Sequence, residues 1–496
     1  MAVKVDTQKE IIFGSSDPNI SRVISKKKKD GELRKLAPRI YTTNLIDSPA
    51  NIVRRNLIEI LAYRYPNALI SHRSAKEMRP TSTGDFFLTN STTRRVTDLP
   101  GIILNFVKGP KATAHDIPFM GMHISGEHRY MLENMQLSRK SGDESRVLPI
   151  SVIENKLEQL LLTGGEERLN QYRDELREVA NELGMADEFS KINNIIFALL
   201  STHDARVLST DSAKARASGN PFDANRVGLF EILFDTIKDR YFVIRNNRNT
   251  DEDSFRLFSF FESYFSNYIE GTEFDIEEAK EIVDSGIPMP RRDEDSHDIL
   301  GTFKILSNRT EMRRVPTSPE ELFAILSHRH TILLEGRPHM NPGVFKMRNN
   351  RAGQTEFVDY QLVKGTLSQG FKYYSALTDP FARAIFMMFM ISEVHPFNDG
   401  NGRIARVMMN AEFVRADQSR IIVPTVFRED YILALRKLTR HKDPMAYINV
   451  MTKLHQFSDN LYGTDFTELK NYLAACNAYE EPSQAKLQII DRSIRH

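Results

Sequence analysis

Between Phe381 and Arg406 the sequence changes character abruptly. Residues Ala384 to Ile391 (AIFMMFMI) are apolar on every face, the pattern of a helix buried all round, yet far short of the ~20 residues a bilayer requires. They lead into His395-Pro-Phe-Asn-Asp-Gly-Asn-Gly-Arg-Ile-Ala-Arg406. Pro396 disfavours helical geometry at the residue before it, so the first helix, read over Phe381 to Val394, stops at His395. The Gly400-Asn401-Gly402 turn then opens a second helix near Gly402. Such a chain is committed to a helical core with a short polar loop at its centre.

That loop carries groups of four chemical kinds. A Gly-Asn-Gly turn entering a helix leaves backbone N–H groups unpaired at the positive end of the helix dipole, a seat for phosphate. Arg403 and Arg406 lie three apart and project from one face, where a guanidinium fork suits phosphate oxygens. Asp399 offers a hard carboxylate oxygen suited to Mg²⁺ shared with phosphates. His395 can accept a proton near neutral pH. Together these are the parts needed to attack a nucleotide phosphorus with a hydroxyl. A calcium EF-hand is excluded, because its first and twelfth ligand positions would be Phe397 and Met408. A Walker loop is excluded because no Gly-Lys-Ser/Thr follows the glycines.

The segment HPFNDGNGRIAR resembles the complete signature of the Fic family, His-Pro-Phe-x-Asp/Glu-Gly-Asn-Gly-Arg-x-x-Arg. The resemblance implies a mainly α fold with a Fic-type helical core and a small β-hairpin flap. It implies a protein adenylyltransferase, an AMPylator moving AMP from ATP to a Ser, Thr or Tyr hydroxyl of a target protein, self-modification included. By the same resemblance His395 is the catalytic base and Asp399 holds Mg²⁺. Gly400, Asn401, Gly402 and Arg403 bind the phosphates, Arg406 seats the γ-phosphate, and Phe397 anchors the loop. The flap is expected at about residues 341–363, with strands Val344 to Met347 and Phe357 to Leu362 around a polar turn, Asn349 to Gly353. It would hold a target segment by strand addition.

The family also carries an inhibitory helix of pattern Ser/Thr-x-x-x-Glu-Gly/Asn, and the pattern occurs twice here. Ser266 to Gly271 (SNYIEG) ends an amphipathic helix read at about 254–270; Thr331 to Gly336 (TILLEG) lies just before the flap. Position assigns the inhibitory role to Ser266, Glu270 and Gly271, with Glu270 pairing with Arg406. Glu335 is read as structural, so that Glu335→Gly is expected to lose activity or stability.

At 496 residues the chain exceeds the roughly 250–300 residues of a single core, so several domains are expected. We read an α+β, winged-helix-like domain with a helical extension over 1–190, a Fic domain over 191–460, and a helical tail over 461–496. In the first, Pro18 to Leu36 reads as a basic helix, Arg39 to Asn44 as a strand, Ala50 to Tyr65 as a helix, and Phe86 to Thr89 and Ile102 to Val107 as strands. Ile153 to Leu183 reads as a helical hairpin broken at Gly164-Gly165, and Ala213 to Ala224 as a loop. Residues 1–120 hold 20 Lys/Arg against 11 Asp/Glu, net +9, in a chain of net charge +1.

That basic head suggests either DNA binding or docking of a protein target. RIYTTN and NALISHRSA loosely resemble AbiEi-type antitoxin regulators, which implies a DNA-binding head. The alternative whole-chain function is thus a DNA-binding regulator whose Fic core senses ATP. Ser71, His72 and Ser74 lack a Gly-x-Ser-x-Gly elbow, and His72 is read as structural. The single cysteine, Cys476, excludes an intramolecular disulfide and favours a reducing, cytoplasmic setting with no membrane partner.

Overall fold

The computed structural model describes residues 8–200, 205–353 and 355–492. They form two compact units, Met1–Ser218 and Gly219–His496. The chain is mostly helical, with its sheets concentrated in the first unit. No helix among the described residues is long and apolar enough to cross a membrane.

The first unit opens with β1 (Ile11–Phe13), the helix Pro18–Lys29, β2 (Arg34–Ala37) and β3 (Ile40–Thr42), in an antiparallel sheet of order β1-β3-β2. Asp17 caps the helix by accepting from Asn19 N–H, and Lys26 to Lys29 occupy its last turn, where cations suit the dipole. The expected helix to Leu36 is therefore too long. Gly31, at φ 77°, ends it, and Arg34–Ala37 pairs with β3 instead.

A six-stranded mixed sheet follows: β4 (Leu69–Ile70), β5 (Asp85–Asn90), β6 (Arg94–Leu99), β7 (Ile102–Lys108), β8 (Ile117–Phe119) and β9 (Met122–Ile124), in the order β6-β7-β5-β4-β9-β8. The helix expected over Ala50 to Tyr65 is two, Pro49–Arg55 and Leu57–Arg64, broken at Asn56. The chain from Ile150 to Leu183 is helical on both sides of Gly165, whose φ 68° and ψ −169° lie outside the helical region. Lys156 pairs with Glu127, while His128 pairs with Glu175 and packs on Tyr172. In a straight helix residues 156 and 175 would stand ~28 Å apart, so the chain turns back at Gly165 into the hairpin. The expected loop 213–224 begins instead as a helix, Asp211–Ala217, capped by Thr210.

In the second unit the apolar helix Pro380–Val394 is the centre: Ala384 to Ile391 are all fully buried. Asp379 caps it at Ala382 N–H, and it packs along the motif helix Asn401–Arg415. Around them lie the helices Ala224–Ile237, Glu252–Ile269, Asp293–Leu306, Pro319–Leu333 and Val363–Ala376, then Arg428–His441 and Pro444–Ser458. Beyond Leu461 only Phe466–Ala475 is α-helical among the described residues.

The flap is shorter than its sequence suggested. Its strands are Arg351–Ala352 and Thr355–Glu356, paired Arg351 with Glu356 and Ala352 with Thr355. Val344 to Met347 is not a strand and Tyr360–Leu362 is a 3₁₀ turn. Beyond those pairs the flanks bond partly to the motif loop and partly to each other through side chains. Lys346 N–H donates to Pro396 O at 2.8 Å, Asn350 donates to Phe397 O at 2.9 Å, and Asn349 Oδ1 accepts from Tyr360 N–H.

Candidate active site

Helix Pro380–Val394 ends because His395 adopts the left-handed conformation, φ 52° and ψ 60°, directly before Pro396. Its Nδ1 lies 3.2 Å from Ser392 O. A carbonyl only accepts, so Nδ1 carries the proton and Nε2 keeps a free lone pair. Burial pushes the imidazole pKa down to about 4, which leaves the ring neutral at pH 7. Phe357, immediately after the flap, stacks on this ring at 3.6 Å and 4°.

The loop after His395 is held by side chains from three directions. Asn401 Oδ1 accepts from Phe397 N–H at 2.8 Å while its Nδ2 donates to Phe397 O at 2.9 Å. The Asn401 side chain is thus committed to the loop, and its backbone N–H lies in the open first turn of the motif helix. Phe397 is fully buried and stacks on His330 at 3.7 Å. His330 Nδ1 accepts from Gly343 N–H, so its Nε2 carries the proton that is donated to Asp399 O at 3.0 Å. Burial pushes His330 to a pKa of about 4 as well. His330, Phe357, Lys346 and Asn350 were missed in the sequence, where nothing local marks a residue packed from a distant helix or loop.

Gly400, at φ 70°, caps the motif helix, and the N–H groups of residues 401–403 form its open first turn. Arg406 is 5% exposed. Its Nε donates to Ser266 Oγ and its Nη2 to Ser266 O, each at 2.9 Å. Nη2 also donates to Glu270 Oε1 at 2.7 Å. Glu270 ends its helix before Gly271, at φ 93°, and leans over the open turn. A Cβ on Gly402 would lie only 2.2 Å from Glu270 Oε1, so glycine is required for this approach.

Arg403 is also buried. It pairs with Asp298 at 2.7 Å and reaches Asp399 at 3.6 Å, while its Nε has no hydrogen-bond partner. Asp298, which also pairs with Arg337, is a further residue the sequence did not single out. Glu335, the second pattern match, pairs with Lys304 on the surface. Its loss has little to destabilise, contrary to expectation. His395, Asp399, Gly400 to Gly402, Arg406 and Glu270 line one cavity of about 320 Å³, closed on other sides by Phe357, Tyr431 and Leu435.

Residues 318–412 match the model of the Fic/DOC family. Protein adenylyltransferase fic-1 of Caenorhabditis elegans is 30% identical over 115 residues, 23% of this chain and 22% of that protein. Protein adenylyltransferase Fic of Nematostella vectensis is 24% identical over 214 residues, 40% of this chain and 47% of the relative. This chain thus spans about a fifth to a half of these relatives' lengths. The solved structure of a segment of C. elegans Fic-1 is 16% identical with a TM-score of 0.36, covering 66% of this chain and 92% of the other. The motif loop, its two arginines and His330 all fall inside the matched segment, and the C-terminal region of this chain carries a Fic/DOC family domain.

Proposed function

We propose that the chain is a protein adenylyltransferase that moves AMP from ATP to a Ser, Thr or Tyr hydroxyl of a protein target, and that Glu270 restrains it. The carrying observation is the Glu270 carboxylate, 2.7 Å from Arg406 and against the open helix turn at Gly402: an anion in a seat suited to an anion. When Glu270 withdraws, that turn and Arg406 are free for the triphosphate. The target hydroxyl then gives its proton to His395 Nε2, its oxygen bonds to the α-phosphorus, and the bond from that phosphorus to pyrophosphate breaks.

The side chain of Asp399 is 39% exposed and supplies a single carboxylate, which fits Mg²⁺ shared with phosphates better than a cage made by protein alone. Mg²⁺ bound there would neutralise phosphate charge. The flap strands would receive the target segment, and self-modification follows if a segment of the chain takes that place. The test is to incubate the Glu270→Gly chain with α-labelled or γ-labelled ATP. Protein labelled from the α-position supports the reading; label only from the γ-position, or none, refutes it.

A second reading, a DNA-binding regulator, draws on Lys26 to Lys29 ending a helix that leads into the β2–β3 hairpin. Binding of duplex DNA that weakens steeply with salt would support it, whereas a free base at His395 favours the transferase. We assign a reducing, cytoplasmic compartment on the buried, lone Cys476.

A further inference from the structure

A second cavity of the second unit, about 710 Å³, shares no lining residue with the one at His395. It lies at the base of the flap, walled by Phe323 of helix Pro319–Leu333, by Val344, Phe345 and Lys346, and by Val363 and Lys364 of the next helix. Neither Asp nor Glu lines it. The sequence from Val344 to Glu356 holds Lys346, Arg348 and Arg351 against one carboxylate, Glu356, which lies opposite Arg351 in the flap. Val344, Met347 and Tyr360 stand 51%, 73% and 40% exposed at this base, so apolar and cationic groups alternate over one surface.

Lys346 is the unusual member. It is only 3% exposed, yet its ammonium finds two neutral oxygens, Asn350 Oδ1 at 2.7 Å and Val394 O at 3.4 Å. Among the described residues no carboxylate pairs with it. Burial pushes its pKa down to about 8, the mark of a buried charge short of a counter-ion. Among the acids that follow it in the chain, Asp359 accepts from Asn349 and from Gln361 N–H. Lys364 and Arg348 have no ion-pair partner among the described residues.

We infer that this groove and the flap beside it form a docking site for an acidic segment of the target protein, with an apolar side chain in the groove and Asp or Glu on either side of the acceptor hydroxyl. The inference rests on the transferase reading above and names the substrate class for it. Charge complementarity selects the occupant. The groove lining holds no carboxylate, and Lys346, Arg348, Arg351 and Lys364 outnumber the one acid of the flap strands, Glu356, so an acidic segment supplies missing anions whereas a basic segment would add like charge to a cationic surface. One wall of the groove is tied to the loop that holds the base, since Lys346 N–H bonds Pro396 O.

The test uses the full chain with Glu270→Gly, α-labelled ATP and synthetic peptides bearing Ser, Thr or Tyr flanked by Glu, Gln or Lys. Labelling of the Glu-flanked peptides should exceed that of the Lys-flanked ones by about tenfold and decline with salt. Adding Lys364→Glu and Arg348→Glu should erase or invert the preference while ATP affinity stays the same. Fluorescence anisotropy of the same peptides gives a reading independent of catalysis. Labelling that ignores flanking charge, a preference untouched by the two reversals, or peptides neither bound nor labelled while the chain labels itself would each overturn the docking site and leave the transferase standing. Absence of α-label on any protein would remove both.

Discussion

His72 and His395 stand at opposite ends of the chain in nearly the same local state. Both have a left-handed backbone, φ 54° and φ 52°, and in both burial depresses the imidazole pKa. Yet His72 is 2% exposed with both ring nitrogens engaged, Nδ1 with Ser71 Oγ at 3.0 Å and Nε2 with Gln136 Oε1 at 3.2 Å. Around it Glu133 accepts from His72 N–H, Ser125 and Arg129. His395 engages Nδ1 alone and turns its other side to a cavity. Strain and burial are therefore shared by a structural histidine and a candidate base. What separates them is one unspent nitrogen facing space for a substrate.

The strongest way to break this comparison is to remove both rings. His395→Ala is expected to lower AMP transfer on the order of 10²–10⁴-fold with ATP affinity nearly unchanged, the scale of a lost general base. His72→Ala should leave transfer per folded molecule intact and lower the melting temperature, because Ser71 and Gln136 lose a buried partner. If His72→Ala silences transfer without destabilising, the two histidines have been sorted wrongly.

The two glutamates repeat the contrast at smaller scale. Glu270→Gly should raise transfer by at least about tenfold, a restraint on the scale of an ordinary coupling energy. Glu335→Gly, removing an exposed pair with Lys304, should change neither rate nor melting measurably. Activation by the second substitution alone would reassign the restraint.

Phe357→Ala removes the ring stacked on His395 and is expected to slow transfer between about two- and tenfold, a stacking contact's worth. Steady-state rates with retained ATP affinity are the check. The smallest effect is a flat line. With the His395 pKa at about 4, the base is already neutral at pH 5.5, so transfer should vary less than about twofold from pH 8 to 5.5 and drop only towards pH 4. A limb centred near 6.5 would mean a solvated imidazole.

Stability carries the matching sign. The unfolded chain protonates His395, His330 and His455 near 6.5, while the fold holds each at about 4. Their contribution is complete above pH 6.5 and is lost as pH falls from there towards 4. Melting temperature against pH in that window measures it.

The sequence by itself determined the helix break at His395, the Gly400 to Gly402 turn, the placement of Arg403 and Arg406 on one helix face, and the apolar helix before them. These follow from proline sterics, glycine freedom and helical period, all of which act over a few neighbouring residues. Tertiary structure alone decided which of two identical six-residue patterns meets Arg406. Glu270 and Glu335 both stand just past a helix and before a glycine, and only the packing of Glu252–Ile269 beside the motif helix brings one carboxylate to 2.7 Å across a separation of 136 residues. It likewise committed the Asn401 side chain to the loop, stacked Phe357 on His395 and His330 on Phe397, and tied the first flank of the flap to that loop. Those outcomes depend on which surfaces pack together over long separations, and neither spacing nor composition in a local window encodes that.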